Sequence, residues 1–211
     1  MMKRFVPCLL LMLYSCIGYT NLSEYDETKD GELSIDEYVD SPWLEGDEVL
    51  IVNGGDATTV DLWNDSRLVV KATTSFPNDP FPLDYENGYG VYDIHMHDSS
   101  TLLFEGGATE SITIKTNATA ELRGGLINHL TIYNFGSMTS SATIYCLPGY
   151  TRNASGISGV WGDGITTFYI QFDNPGGVFP ATYNFVNIVE VPEPATLALL
   201  GLGGLLIRQK K

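Results

Sequence analysis

The sequence predicts an all-β fold, a small parallel β-helix (a β-solenoid) built from short repeats of about 18 residues. Three observations predict it. From about Glu45 onward the chain is rich in Thr, Val, Ile and Tyr, with Gly-rich turns and few helix formers. Apolar residues recur at a spacing of 18: Ile94, Ile112 and Leu130, then Met96, Ile114 and Ile132. Phe104 matches Leu122 in the same way, Thr101 matches Thr119, and Gly106-Gly107 matches Gly124-Gly125. Within a unit the apolar positions alternate, as in Ile112-Thr113-Ile114, so one strand face is buried and the other faces out. A unit this short cannot bury its own apolar face. Stacking units in register, with strands about 4.8 Å apart, does so. An antiparallel β-sandwich with evenly spaced hairpins is the alternative.

The chain starts with a segment of a different kind. Lys3 and Arg4 precede an apolar stretch from Phe5 to Tyr14, the layout of a secretory signal helix, so residues 1–19 are expected to be a signal peptide. Leu13-Tyr14-Ser15-Cys16 resembles a lipobox, which would lipidate Cys16; cleavage near Gly18-Tyr19-Thr20 is the other outcome.

Residues 20–48 form an acidic segment, with eleven carboxylates between Glu24 and Glu48 against one lysine. Its stretch Asp26–Glu37 resembles a calcium loop of the EF-hand or dockerin type. Such a loop supplies hard oxygens at fixed positions, with glycine at the sixth. The resemblance implies Asp26, Thr28, Asp30, Glu32 (through its carbonyl), Ser34 and Glu37 as calcium ligands, with Gly31 at the turn. Thr28 departs from the pattern by losing a charge. A solvated acidic linker is the alternative for the same residues.

Residues 49–185 are expected to be the solenoid body, with four or five coils between about Asp56 and Tyr145. Val60–Ser66 opens an early coil. Phe76–Gly90 reads as an inserted loop, because Pro77, Pro80 and Pro82 forbid a central strand. Gly156–Phe172, rich in aromatics, is expected to be a terminal hairpin that caps the open end of the core. The Asp98-Ser99-Ser100-Thr101 stretch and the Gly pairs resemble repeat regions of environmental bacterial surface proteins.

Residues 186–211 close the chain in three parts. Pro192-Glu193-Pro194 keeps an open backbone. Ala195–Ile207 is apolar, and its 13 residues would span about 20 Å as a helix, short of the roughly 20 residues of a comfortable bilayer span. Arg208, Lys210 and Lys211 follow and favour a cytoplasmic end. This order resembles the PEP-CTERM sorting signal of bacteria with exopolysaccharide-rich surfaces. The resemblance implies recognition by an exosortase at Pro192, Glu193, Pro194 and Arg208, with the apolar helix as a transient inner-membrane anchor. The expected destination is the cell envelope, the cell surface or the medium.

The net charge is −15, and between Gly18 and Val191 there are 25 acidic against 6 basic residues. Nucleic acid is excluded as a partner on that balance. Of three cysteines only Cys146 lies well inside the body, so no internal disulfide framework is available. Asp93, His95 and His97 alternate outward, and the repeat places His129 under Asp93 two coils away, roughly 10 Å and too far to share a zinc ion. The outward acids Glu105, Glu110 and Glu121 are scattered, and no nucleophile elbow is present, so no enzyme is expected. The expectation is a structural or adhesive surface or matrix protein associated with exopolysaccharide. The alternative is a calcium-assisted carbohydrate- or protein-binding module, and a polysaccharide-active enzyme ranks below both.

Overall fold

The computed structural model describes residues 32–35, 38–39, 41–53, 56–71, 90–174 and 180–192. They form sixteen strands. These are β1 (Glu32–Ile35), β2 (Tyr38–Val39), β3 (Trp43–Leu44), β4 (Val49–Val52), β5 (Asp56–Leu62), β6 (Arg67–Val70), β7 (Gly90–Met96) and β8 (Thr101–Phe104). The second half holds β9 (Ala108–Ile114), β10 (Thr119–Leu122), β11 (Leu126–Ile132), β12 (Ser141–Cys146), β13 (Thr151–Asn153), β14 (Gly156–Val160), β15 (Thr167–Asp173) and β16 (Val186–Glu190). A narrow sheet runs β1-β4-β6-β8-β10-β12-β16. A wide sheet runs β13-β14-β15-β11-β9-β7-β5-β2, with β3 also on β5.

The chain is therefore all-β, and through the middle it alternates between the two sheets. Central ladders are parallel: Ile94 faces Ile112, Ile112 faces Leu130, and Thr101 faces Thr119, each at the spacing of 18 read in the sequence. Among the described residues, antiparallel pairing, on which the sandwich alternative depends, is confined to β13–β14–β15 and one bridge at Cys146. The same 18-residue step runs further upstream than the sequence disclosed. Val49 faces Arg67 and Trp43 faces Asp61. β1 then pairs with β4, so the sheets begin inside the acidic segment, ahead of residue 49.

Two corners make the repeat. The first joins a narrow-sheet strand to a wide-sheet strand through Glu105-Gly106-Gly107 and Arg123-Gly124-Gly125. Gly107 and Gly125 both have φ 81°, and a Cβ on Gly125 would lie 2.6 Å from the Gly107 carbonyl oxygen. Coils this close admit only glycine there. The second corner returns through a left-handed residue: Asn64 (φ 56°), Asp98 (φ 55°) and Thr116 (φ 62°). Asn and Asp tolerate that conformation; a β-branched threonine does not. The residue entering each following strand is small and buried: Ser66, Ser100, Ala118 and Ser140.

Between the corners, inward residues stack into the core. On the narrow sheet Val70, Phe104, Leu122 and Ile144 form one buried column; on the wide sheet Leu62, Met96, Ile114 and Ile132 form another. Departures from the period are absorbed at corners. Leu62 faces Met96 and Arg67 faces Thr101, an offset of 34, so the expected insertion lies between β6 and β7; residues 72–89 fall outside the described residues. Thr119 faces Ser141 across an offset of 22. The longer corner is held by the buried Asn134, whose Nδ2 donates to the Ser140 carbonyl (2.7 Å) and whose Oδ1 accepts from the Ser140 amide (2.8 Å).

The hairpin expected at Gly156–Phe172 is present as β14–β15. Its Trp161 is fully buried, stacks on Phe168 at 4.2 Å and donates Nε1–H to the Gly125 carbonyl (2.9 Å). β16 then returns to the narrow sheet beside β12. Thr182 pins that return: its hydroxyl donates to the Asp173 carbonyl (2.6 Å) and accepts from the Ile132 amide (3.1 Å).

Candidate functional site

Alternation breaks once in each central wide-sheet strand. In β9, Glu110 and Ser111 are both partly exposed between buried Thr109 and Ile112; in β11, Asn128 and His129 do the same between Ile127 and Leu130. This break brings an extra polar column to the outer face. Asp93, Ser111 and His129 stand in register as the repeat requires. Ser111 Oγ donates to Asp93 Oδ1 (2.5 Å). His129 Nδ1 lies 2.9 Å from Asp173 Oδ2, while its Nε2 is 3.8 Å from Glu110 Oε1, a carboxylate that also accepts from Asn128 Nδ2 (2.8 Å).

Asp173, His129 and Ser111 are the residue types of acyl-transfer chemistry, and Asp173 orients the imidazole from the usual side. The arrangement does not continue. The Ser111 proton is directed to Asp93, and the far nitrogen of His129 approaches Glu110, so no base is set against that hydroxyl. The face works as a cross-strand hydrogen-bonded ladder. Among the described residues no group of three or more His, Cys, Asp or Glu is arranged to hold a metal ion.

The other histidines diverge. His95 Nδ1 pairs with Asp61 Oδ1 at 3.2 Å. His97 lies past the end of β7 at the corner, and its ring stacks on Trp63 with centroids 3.9 Å apart and planes 4° apart. Burial there and the nearby Lys115 push its pKa below the ordinary value. Trp63 in turn meets Trp43 at 6.1 Å, and Lys115 lies 5.9 Å over Tyr133. Where Trp63 and His97 stack, the ring faces are spent on each other rather than turned to solvent.

The narrow sheet's outer face is different in chemistry. Arg67, Thr101 and Thr119 share one column with Ser141; Leu103 and Glu121 share the next. Arg67, Thr101, Thr119, Leu103 and Glu121, with Arg123, line an open groove of about 440 Å³. Arg123 donates Nη2–H to Glu121 Oε2 (2.6 Å) and lies 4.8 Å over the Tyr145 ring. The Glu121 hydrogen bond raises its already high pKa, so it is a fixed cation. Sequence reading matched Thr101 with Thr119 but missed the groove, because Arg67 and Arg123 sit in different columns and share no motif.

Pro192, the first of the sorting residues, follows the last strand of the narrow sheet. β16 is its last strand, the Val191 amide still donates to the Cys146 carbonyl (2.9 Å), and Pro192 follows. Glu193, Pro194 and Arg208 lie outside the described residues, as does the apolar stretch 195–207. Among the described residues no helix is long and apolar enough to cross a membrane. Of the calcium ligands implied by the loop resemblance, Asp26, Thr28, Asp30 and Glu37 also lie outside, as do the signal segment and Cys16. Glu32 and Ser34 fall in β1, whose backbone pairs in parallel with Val49–Val52.

Residues 190–211 match the PEP-CTERM protein-sorting motif. No curated protein and no solved structure matches the chain. The motif marks the chain as an exported protein sorted to the cell envelope by an exosortase.

Proposed function

We propose that this protein is a structural or adhesive component of the cell surface or extracellular matrix, associated with exopolysaccharide, whose body is a parallel β-solenoid. The observation that carries the reading is the join between β16 and the sorting motif: the last paired strand ends at Glu190, and the matched motif starts at that residue. The delivered object is thus a stack of in-register coils. Parallel ladders at a spacing of 18, glycine-only corners and a capping hairpin support the solenoid. The outer faces present repeated hydroxyl, amide and carboxylate columns, the kind of surface that makes many weak contacts along a polymer.

The test is the intact mass of the protein recovered from native cells, fractionated into inner membrane, outer envelope and medium. A mass ending near Pro192–Pro194 in the envelope or medium is expected. Retention of Lys211 in the inner membrane would remove the sorting premise. The same spectrum reads the state of Cys16.

A further inference from the structure

We infer that the groove on the outer face of the narrow sheet is a binding site for a carboxylate-bearing glycan segment, of the uronic-acid type. The inference deepens the glycan part of the function proposed above and rests on it for its biological setting. It starts from an anomaly of pairing. Between Gly18 and Val191 there are 25 acidic residues, yet Arg67 has no carboxylate within ion-pair distance among the described residues. The Thr101 and Thr119 hydroxyls, in the same column, make no hydrogen bond within the described chain either. One face of the groove is therefore a row of unspent donors, headed by a guanidinium.

Each part suits a sugar acid. A guanidinium offers a planar fork of donors that matches a carboxylate. Threonine hydroxyls donate and accept, as sugar hydroxyls do, and stand one strand spacing apart, about 4.8 Å. Leu103, partly exposed between the columns, gives an apolar floor for ring carbons. Arg123 supplies a second cation, already oriented by Glu121 and the Tyr145 ring. The lining carries two arginines against one glutamate, whereas the wide sheet's outer face carries Asp61, Asp93, Glu110 and Asp173 with no lysine or arginine on β5, β7, β9, β11 or β15. An anion is thus steered to the narrow sheet. An acidic peptide fits less well. The groove lies across the middle of a sheet, where every strand is already paired on both sides, so a peptide backbone gains no ladder there.

The experiment is calorimetric titration of the exported protein with tetragalacturonate, cellotetraose and tetraglutamate. Tetragalacturonate is expected to bind and cellotetraose not to. Arg67→Gln should weaken tetragalacturonate tenfold or more, the loss of a charge-assisted pair, and Thr119→Val several-fold. Both positions are solvent-facing, so the melting temperature should not move; it is measured alongside. Absence of tetragalacturonate binding overturns the inference, as does equal binding by Arg67→Gln. Tetraglutamate binding as tightly would reassign the groove to an acidic peptide. Correct sorting without this binding would leave the surface role standing and remove only the ligand.

Discussion

Replacing Thr116 with asparagine should stabilise the protein. Thr116 sits at φ 62°, a left-handed conformation that brings an L-residue's Cβ against the following carbonyl and costs about 1–2 kcal/mol. Branching at Cβ makes threonine one of the worst residues for it. The same corner, one coil up, holds Asp98 at φ 55°, and one further up Asn64 at φ 56°. These two are the types that tolerate the conformation. The Thr116 hydroxyl makes no hydrogen bond among the described residues, while its carbonyl accepts from Ser140 Oγ (2.7 Å), a bond the asparagine backbone would keep. Thr116→Asn should therefore gain about 1 kcal/mol. Glycine removes the strain fully but returns about 0.5–1 kcal/mol through its unfolded-state entropy, so Thr116→Gly should gain less. For a domain of this size 1 kcal/mol is a rise of about 2–4 °C in melting temperature, read by circular dichroism or calorimetry. The reciprocal variant Asn64→Thr should lose a similar amount. If Thr116→Asn melts at or below the parent and Asn64→Thr is neutral, the strain argument fails.

Three other perturbations test the coil architecture. Ser66 and Ser100 bury hydroxyls with no partner among the described residues, in the column where Ala118 sits, so Ser66→Ala and Ser100→Ala should be neutral or stabilising by up to about 1 kcal/mol in urea titration, whereas Ser140→Ala, which loses a bond to the Thr116 carbonyl, should cost about 1 kcal/mol. Gly125→Ala should cost at least about 2 kcal/mol in the same assay, since its Cβ would meet the Gly107 oxygen at 2.6 Å and the Phe104 ring at 2.7 Å. His97 is held below its ordinary 6.5 by burial and by Lys115, so the folded state disfavours its charged form. Its contribution is present above pH 6.5 and is lost as pH falls through the folded value, and His97→Phe, which keeps a ring on Trp63, should flatten that part of the stability–pH curve.

The legible part of the fold was the part with an undisturbed period. From Ile94 to Ile132 the apolar residues, Gly pairs and Thr101/Thr119 recur at equal spacing, and their strands pair as that spacing dictates. Upstream the signal fades for a physical reason. A step of 18 still relates Leu50 to Leu68, but the next step in that core column, Leu68 to Leu102, is 34, so the early coils are out of phase with the later ones along the chain. The stretch around Glu32 read as a separate segment because its carboxylates dominate the composition there. The column that runs from Asp93 through Ser111 to His129 followed from spacing, which set His129 two coils from Asp93. Its hydrogen bonds did not. The paired outward positions Glu110-Ser111 and Asn128-His129 come from a backbone break that no strict alternation anticipates. The groove was hidden for another reason: its cations lie in different columns two coils apart, on either side of the Leu103/Glu121 column, visible only once the narrow sheet is assembled.

The join between body and address follows from the chemistry of one residue. In the narrow sheet each new strand is accepted by the amides and carbonyls of the one before, and β16 takes its place by pairing Val186–Glu190 with Ala142–Cys146. The Val191 amide makes one more bond to this ladder. Pro192 has no amide hydrogen to give, so it cannot extend the run of donors, and its ring draws the preceding residue towards extended conformations. The narrow sheet and the sorting tripeptide are therefore separated by Val191 alone. Any enzyme that acts at Glu193 works within a few residues of the last paired strand. It must accommodate the edge of β16, the last strand of the narrow sheet among the described residues, where Val189 is exposed. A glycine-serine spacer between Val191 and Pro192 isolates the effect: processing should quicken if the folded edge hinders the enzyme and slow if the enzyme reads it. Unchanged processing would show that the tripeptide alone is recognised.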